Sequence, residues 1–506
     1  MSEDSSNNRR IAKNTILLYF RMLFLMLVNL YTSRVVLREL GVDDYGIYAI
    51  VGGVVTMFSL LSGSMSSAIS RFITFELGKG DAGRLKTIFS SAITIQLIFS
   101  AIILVVGEPL GLWFLNNKMV IPPDRLGAAN WCFQLSLITF IINNISIPYN
   151  ATIIAHERMS FYAYVSIYEG LGQLLISFLI VFGFFDKLVF YASLIAILAI
   201  SVRVIYGWYC KRHFEEANYS FVFDKRVIKE MFSFAGWNLF GQGSLVLRNH
   251  GVDILLNLYF GVVVNAAKGI CNQVQSAVYQ FVTNFQTALS PQLTMSIAQN
   301  DYARNHTLVI QGSRFSFYLL TFFSIPFLLQ TQELLALWLG KVPDYTVVFV
   351  QWTFIYLQLD CLSRCLIKSI LAYGKIRNYQ ILVGGTKLLV LPIVWVVLYW
   401  GGHPVTGVVV NVIIELFCLA MRIFFNNRYT HLPVNRFVFG VVAHCWVVFG
   451  IIWLLVSLCK MYITDNFVVG LAVDFIVTAV IIWLVGLRKT ERASIASAAM
   501  KIIKRR

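Results

Sequence analysis

Residues 37–81 read LRELGVDDYGIYAIVGGVVTMFSLLSGSMSSAISRFITFELGKGD, and residues 261–301 read GVVVNAAKGICNQVQSAVYQFVTNFQTALSPQLTMSIAQND. At a constant offset of 220, with no gap, Gly41 falls on Gly261 and Asp81 on Asp301, and eight of the 41 aligned positions are identical. The other six are Val42/Val262, Ile50/Ile270, Val54/Val274, Ala68/Ala288, Ser70/Ser290 and Thr74/Thr294. Apolar helices share residues by chance, so the common boundaries carry more weight than the identities. Each copy starts at a turn glycine, crosses a long segment poor in charge and stops at a polar end.

The rest of the chain extends this pattern. Apolar residues make up 58% of 506 positions, charged ones 13%, and the mean hydropathy is +0.72. A soluble domain does not reach these values. Crossing ~30 Å of hydrocarbon takes about 20 helical residues. Fourteen segments meet that length: 12–34, 45–69, 87–107, 127–151, 161–184, 188–209, 231–258, 262–289, 315–338, 345–372, 379–400, 405–425, 437–459 and 467–487. The sequence therefore predicts an all-α polytopic membrane protein with about fourteen transmembrane helices. Six spans separate the two repeat copies, so both cross in the same direction. This is a parallel repeat about an axis along the membrane normal, which places a substrate site between the halves.

Basic residues set the orientation, because lysine and arginine in short flanking loops stay in the cytoplasm. Clusters at Lys79/Arg84/Lys86, at Lys211/Arg212/Lys225/Arg226/Lys229 and at Lys501/Lys504/Arg505/Arg506 all fall on the side of the amino terminus. Both termini are expected in the cytoplasm, with the chain multi-pass in the membrane. The net charge of +16 is then a topogenic signal and a contact with anionic membrane lipids, and nucleic acid is not an expected partner. The first apolar run follows Arg9, Arg10 and Lys13 but is too long for a signal-peptide core and lacks a small-residue cleavage site, so it is read as a retained span. None of the eight cysteines has C-x-x-C spacing, and they read as small core residues. No phosphate loop, H-E-x-x-H or G-x-S-x-G motif is present. No loop is long enough for a catalytic domain, which disfavours a glycan polymerase or ligase, and no enzyme activity or cofactor is expected.

The stretch 37–81, through its LG-x-x-x-YG-x-Y turn and the small-residue helix end before Arg71-Phe72, resembles the polysaccharide-transport or O-antigen flippases of the multidrug/oligosaccharidyl-lipid/polysaccharide (MOP) exporter superfamily. The resemblance implies two pseudo-symmetric six-helix lobes, 1–220 (segments 1–6) and 221–430 (segments 7–12). It adds 431–506 as two further helices with a basic cytoplasmic tail. It also implies a function: turning a polyprenyl-diphosphate-linked oligosaccharide, an O-antigen (lipopolysaccharide) or capsule repeat unit, from the inner to the outer leaflet by alternating access. Other polysaccharide-assembly proteins would be its partners. Within transport the alternatives are a multidrug/cation antiporter of the same superfamily, for which twelve spans and an acid-dominated cavity are expected, and a flippase for the peptidoglycan lipid precursor.

The charged residues inside the spans sharpen this. Eight bases stand out: Arg21, Arg34, Arg203, Arg248, Lys268, Arg364, Lys368 and Lys387. Each costs at least ~2.5 kcal/mol near the bilayer centre, so such residues face a bundle interior or a wet cavity. Five acids, Glu169, Asp253, Asp360, Glu415 and Asp474, leave an excess of three positive charges, which favours an anionic substrate. Arg34, Arg203 and Lys368 can snorkel to an interface, and Lys387 has Glu415 as a candidate partner. Arg21, Arg248, Lys268 and Arg364 remain as the expected cationic cavity. Segment 8 carries Asn265, Lys268, Asn272, Gln275, Tyr279, Thr283 and Gln286 at intervals of three or four, one face of a helix. Asn265, Asn272, Gln275, Tyr279 and Gln286 are the sugar-contacting candidates. Asp253, Asp360 and Glu415 are candidates for coupling transport to a proton or sodium gradient, although a carboxylate pinned to arginine is a poor proton carrier. No metal ligand set is read from the sequence.

Overall fold

The computed structural model describes residues 2–492 except 57, 118, 120, 183–185, 223, 341, 463–466 and 490. The predicted basic tail, 493–506, lies outside the described residues. Every regular element among them is helical. Ten helices are long and apolar enough to cross a membrane. We number them with four more polar ones in chain order: α1 (Asn14–Gly41), α2 (Ser59–Lys79), α3 (Ala82–Asn117), α4 (Pro123–Ala155), α5 (Met159–Phe182), α6 (Lys187–His213), α7 (Lys225–Phe260), α8 (Val262–Ala298), α9 (Tyr302–Leu329), α10 (Thr346–Tyr373), α11 (Arg377–Tyr399), α12 (Thr406–Thr430), α13 (Val434–Lys460) and α14 (Phe467–Gly486). The four helices that fall short of the apolar threshold are α2, α7, α8 and α10.

The repeat seen in the sequence has a conformational cause. Gly41 has φ 79° and ψ 172°, and Gly261 has φ 75° and ψ −165°. That region of backbone space is open to glycine almost alone. A Cβ at either position would meet nothing within 4 Å, so the requirement is conformational and not one of space. At the other end of the repeat, the Asp81 carboxylate accepts from the Arg84 backbone N–H and Asp301 from that of Arg304, both at 2.9 Å. Each aspartate caps the helix that follows, satisfying a donor that would otherwise be orphaned. Thr74 and Thr294 each return their hydroxyl to the carbonyl four residues back, Ser70 and Ser290.

The helices form two compact units, 14–239 and 1–13 with 240–506. In the first, α4 packs on α6 and α2 around a core that includes Val51, Val55, Phe133, Leu137 and Ile180. Its three loops at the Gly41 end are tied by one side chain. Arg125 makes a bidentate contact with Asp44 at 2.8 and 2.6 Å and reaches Asp186 at 2.5 Å. At the opposite end the segment after α6 is bound back onto the unit, with Glu216 on His156 at 2.6 Å and the Ser220 backbone N–H donating to Ser90 Oγ at 3.3 Å.

In the second unit α10 is the central helix, packed by α8, α9 and α12. The last two helices are fastened to α9 by buried polar contacts. Arg314, 1% exposed, donates to Glu491 Oε1 at 3.1 Å and to the Gly486 carbonyl at 2.5 Å. Asp474, fully buried on α14, accepts from Gln330 at 2.6 Å and pairs with Lys460 at 3.2 Å.

Two arginines correct the charge inventory. Arg422 lies within segment 405–425 yet reads, in one dimension, as the start of the polar end of that span. It is fully buried on α12 and ion-paired with Glu415. Arg314 falls just before segment 315–338, because hydropathy assigns the polar run before it to a loop. The helix actually begins at Tyr302, directly after its Asp301 cap, and Asn305, Ser313, Arg314 and Ser316 are buried against protein. The excess of three positive charges is thus an undercount. Glu169, expected among the buried acids, is exposed.

Candidate functional site

The unit 240–506 contains a cavity of about 220 Å³ between α7, α8, α10 and α12, equivalent to about seven waters at ~30 Å³ each. Arg248 enters it from α7. Its side chain is 3% exposed. Nη2 donates to Asn249 Oδ1 at 2.9 Å and to the Tyr356 hydroxyl at 3.2 Å, Nε donates to Asn249 Oδ1 at 3.2 Å, and the guanidinium carbon sits 5.3 Å from the Tyr356 ring centre. These contacts fix the plane of the guanidinium and leave Nη1 buried with no protein partner.

Lys268 approaches from α8, with Nζ donating to Asn272 Oδ1 at 2.9 Å. Gln275 and Ser276 follow on the same wall, as the three-or-four spacing requires. Thr353, one turn before Tyr356 on α10, accepts a hydrogen bond from Cys271 Sγ at 3.0 Å. Asp253 and Asn411 complete the lining, and the Oδ1 atom of each is buried without a hydrogen-bond partner.

An unmade buried hydrogen bond costs about 1–3 kcal/mol and more for a charged group. Three such atoms, one donor and two acceptors, around one cavity mark a space built to hold a polar guest or water. The donors are a guanidinium N–H and an ammonium, suited to a phosphate or carboxylate. The amides, hydroxyls and carboxylate offer the mixture of donors and acceptors that sugar hydroxyls need. No group of three or more His, Cys, Asp or Glu side chains positioned to hold a metal occurs among the described residues.

The residues singled out in the sequence separate into distinct places. Arg248, Lys268, Asn272, Gln275 and Asp253 share the cavity. Asn265 and Gln286 lie on the same helix but do not line it; Gln286 is buried and donates to Ser316 at 3.2 Å. Tyr279, Asp360 and Arg364 form their own cluster: the Tyr279 hydroxyl donates to Asp360 Oδ2 at 2.5 Å and Arg364 Nε to the same oxygen at 2.8 Å. Glu415 is held by Arg422 and, at 3.7 Å, by Lys387, so the expected Lys387 partner is present and shared. Arg21 belongs to the unit 14–239, where its guanidinium lies 4.5 Å from the Tyr162 ring centre. Arg248 and Asp253, five residues apart on α7, both line the cavity without being bonded to each other.

Sequence reasoning missed Tyr356 and Thr353. A signal was present: positions 353, 356, 360 and 364 continue the polar face of segment 10 towards the cavity at the three-or-four period.

A family model described as polysaccharide biosynthesis protein matches residues 11–299. Among curated proteins no significant match exists. The fold is that of MOP-superfamily transporters. A crystal structure of a MATE point mutant aligns with a TM-score of 0.73 at 12% identity over 84% of this chain and 96% of that one. An outward-facing multidrug resistance MATE family transporter of the MOP superfamily aligns with a TM-score of 0.71 at 12% identity over 84% and 96%. A MOP superfamily transporter from Pyrococcus furiosus, described as having a binding pocket of reverse polarity that suggests a different function, gives 0.68 at 11% identity over 85% and 96%.

Proposed function

We propose that this chain, which belongs to the polysaccharide biosynthesis protein family, turns a polyprenyl-diphosphate-linked oligosaccharide from the inner to the outer leaflet of the bacterial cytoplasmic membrane. It does so as a transporter and not as an enzyme, by alternating access. The observation that carries this reading is the cavity of the second unit, where Arg248 keeps one buried N–H unpaired beside Lys268, with amides and hydroxyls around them. A diphosphate or an acidic sugar supplies the missing acceptor, and sugar hydroxyls satisfy Asp253 and Asn411. The binding is shallow enough for release because each cation also keeps a protein partner. A lipophilic cation would instead be repelled by Arg248 and Lys268, which argues against a multidrug antiporter.

The test is deletion of the gene followed by analysis of lipid-linked glycans on each leaflet. Accumulation of undecaprenyl-linked repeat units on the inner leaflet is the expected outcome. Unchanged glycans together with altered drug tolerance would overturn the reading.

A further inference from the structure

A second cavity, of about 300 Å³ and with none of the lining residues of the first, lies where the start of α11 meets the end of α12. Its lining is divided by chemistry. Ile381, Leu382 and Phe424 form an apolar floor and are exposed by 42, 50 and 57%, with Phe425 buried beneath. Asn378 and Arg428 form a polar rim within one turn of the helix ends. A wide π-helical turn at Gln380–Gly384 brings Ile381 and Leu382 into this position, since a π-turn shifts the side chains that follow it around the helix.

The electrostatics of this edge are one-sided. Lys375 and Arg377 stand at the start of α11 and Arg428 in the last turn of α12, and the one acid of these two helices, Glu415, is buried and committed to Arg422 and Lys387. Arg428 forms no salt bridge among the described residues, and the exposed Lys375 adds to the same edge. The lysine and arginine bias assigns this end to the cytoplasmic side. An unpaired cation over an apolar trough at that depth matches an amphiphile: an anionic head on Arg428 and Asn378, and a chain along Leu382 and Phe424.

We propose that this groove is a binding site for an anionic phospholipid of the inner leaflet, separate from the cavity of Arg248. The experiment counts lipids retained by the full-length protein in native mass spectrometry, with dioleoylphosphatidylglycerol or dioleoylphosphatidylcholine added to detergent-purified samples. The expected result is selective retention of phosphatidylglycerol, reduced about fivefold by Arg428→Ala, as one lost surface cation implies, and reduced also by Phe424→Ala. Arg248→Ala leaves retention unchanged, and each variant keeps the melting temperature of the parent in lipid-free detergent. Equal retention of the two lipids, or no change in Arg428→Ala, overturns the site. Displacement of phosphatidylglycerol by equimolar undecaprenyl phosphate overturns the occupant, because the groove would then belong to the lipid-linked substrate.

Discussion

The two copies of the repeat share their end points and differ in what lies between them. Gly41 and Gly261 make the same glycine-only turn, and Asp81 and Asp301 the same helix cap. Between these fixed points the side chains diverge. At the offset of 220, Lys268 corresponds to Tyr48, Asn272 to Gly52 and Gln275 to Val55, and on the preceding helix Arg248 corresponds to Val28. In the first copy Val51 and Val55 belong to a closed apolar core and Tyr48 packs edge-on against Tyr191 at 5.0 Å. In the second, the equivalent wall surrounds a polar cavity. The repeat thus preserves the turns that thread a helix pair across the membrane and frees the interior for specialisation. In the second copy Lys268, Asn272 and Gln275 line that cavity.

The largest expected effect separates structural charge from site charge within the second unit. Arg422→Ala leaves Glu415 buried beside only Lys387 and should cost about 3–5 kcal/mol, as removing one member of a buried pair does. The check is folded yield and melting temperature in detergent; a well-folded variant that merely lost transport would move Arg422 into the functional site. Arg248→Ala or Lys268→Ala should instead lower glycan export by roughly ten- to a hundredfold, the range of a lost charge-assisted hydrogen bond of ~1.5–3 kcal/mol, while abundance and insertion stay near normal. Loss of the folded protein would assign these two cations to the scaffold.

Transplanting the difference tests it directly. Val55→Gln puts the residue of the second copy into the first, where the amide finds no partner in an apolar core, and should destabilise by about 1–3 kcal/mol. The reverse change, Gln275→Val, should leave the melting temperature close to that of the parent and reduce export. Equal stability losses in both directions would erase the contrast between the halves.

The smallest effect concerns the clasp of the first unit. Burial raises the Asp186 carboxyl, but the hydrogen bond from Arg125, the backbone N–H of Val189 and the charge of Arg125 more than offset it, so the group is held below the usual carboxylate range. A depressed folded value gives stability that is complete above the ordinary pKa of ~3.9 and is lost as pH falls through the folded value. Asp186→Asn should therefore melt below the parent at neutral pH, and the gap should close below about pH 4. A gap independent of pH would mean that the loss comes from the packing of the substituted side chain and not from the charge of Asp186.

All fourteen segments are legible by length, but α2, α7, α8 and α10 are more polar than the other ten helices, and three of those four line the cavity. What makes a helix hard to read as a span is what makes it useful: polar side chains that lipid would reject and a protein interior can solvate. The same cause hid Arg314 and the true start of α9, since its polar first half is covered by protein and not by water.

By itself the sequence determined the membrane class, the fourteen segments and the repeat, because length, hydropathy and the two glycines are local properties that the bilayer and the backbone enforce residue by residue. It also marked Arg248, Lys268, Asn272 and Gln275 as polar groups in need of a partner. Only the tertiary structure decided which of the buried cations were already satisfied. Arg364 on Asp360 and Arg422 on Glu415 are neutralised, whereas Arg248 bonds only to the neutral Asn249 and Tyr356 and lines a cavity. Whether a charge is spent or available depends on which helices pack against it, and helical periodicity carries no information about that choice.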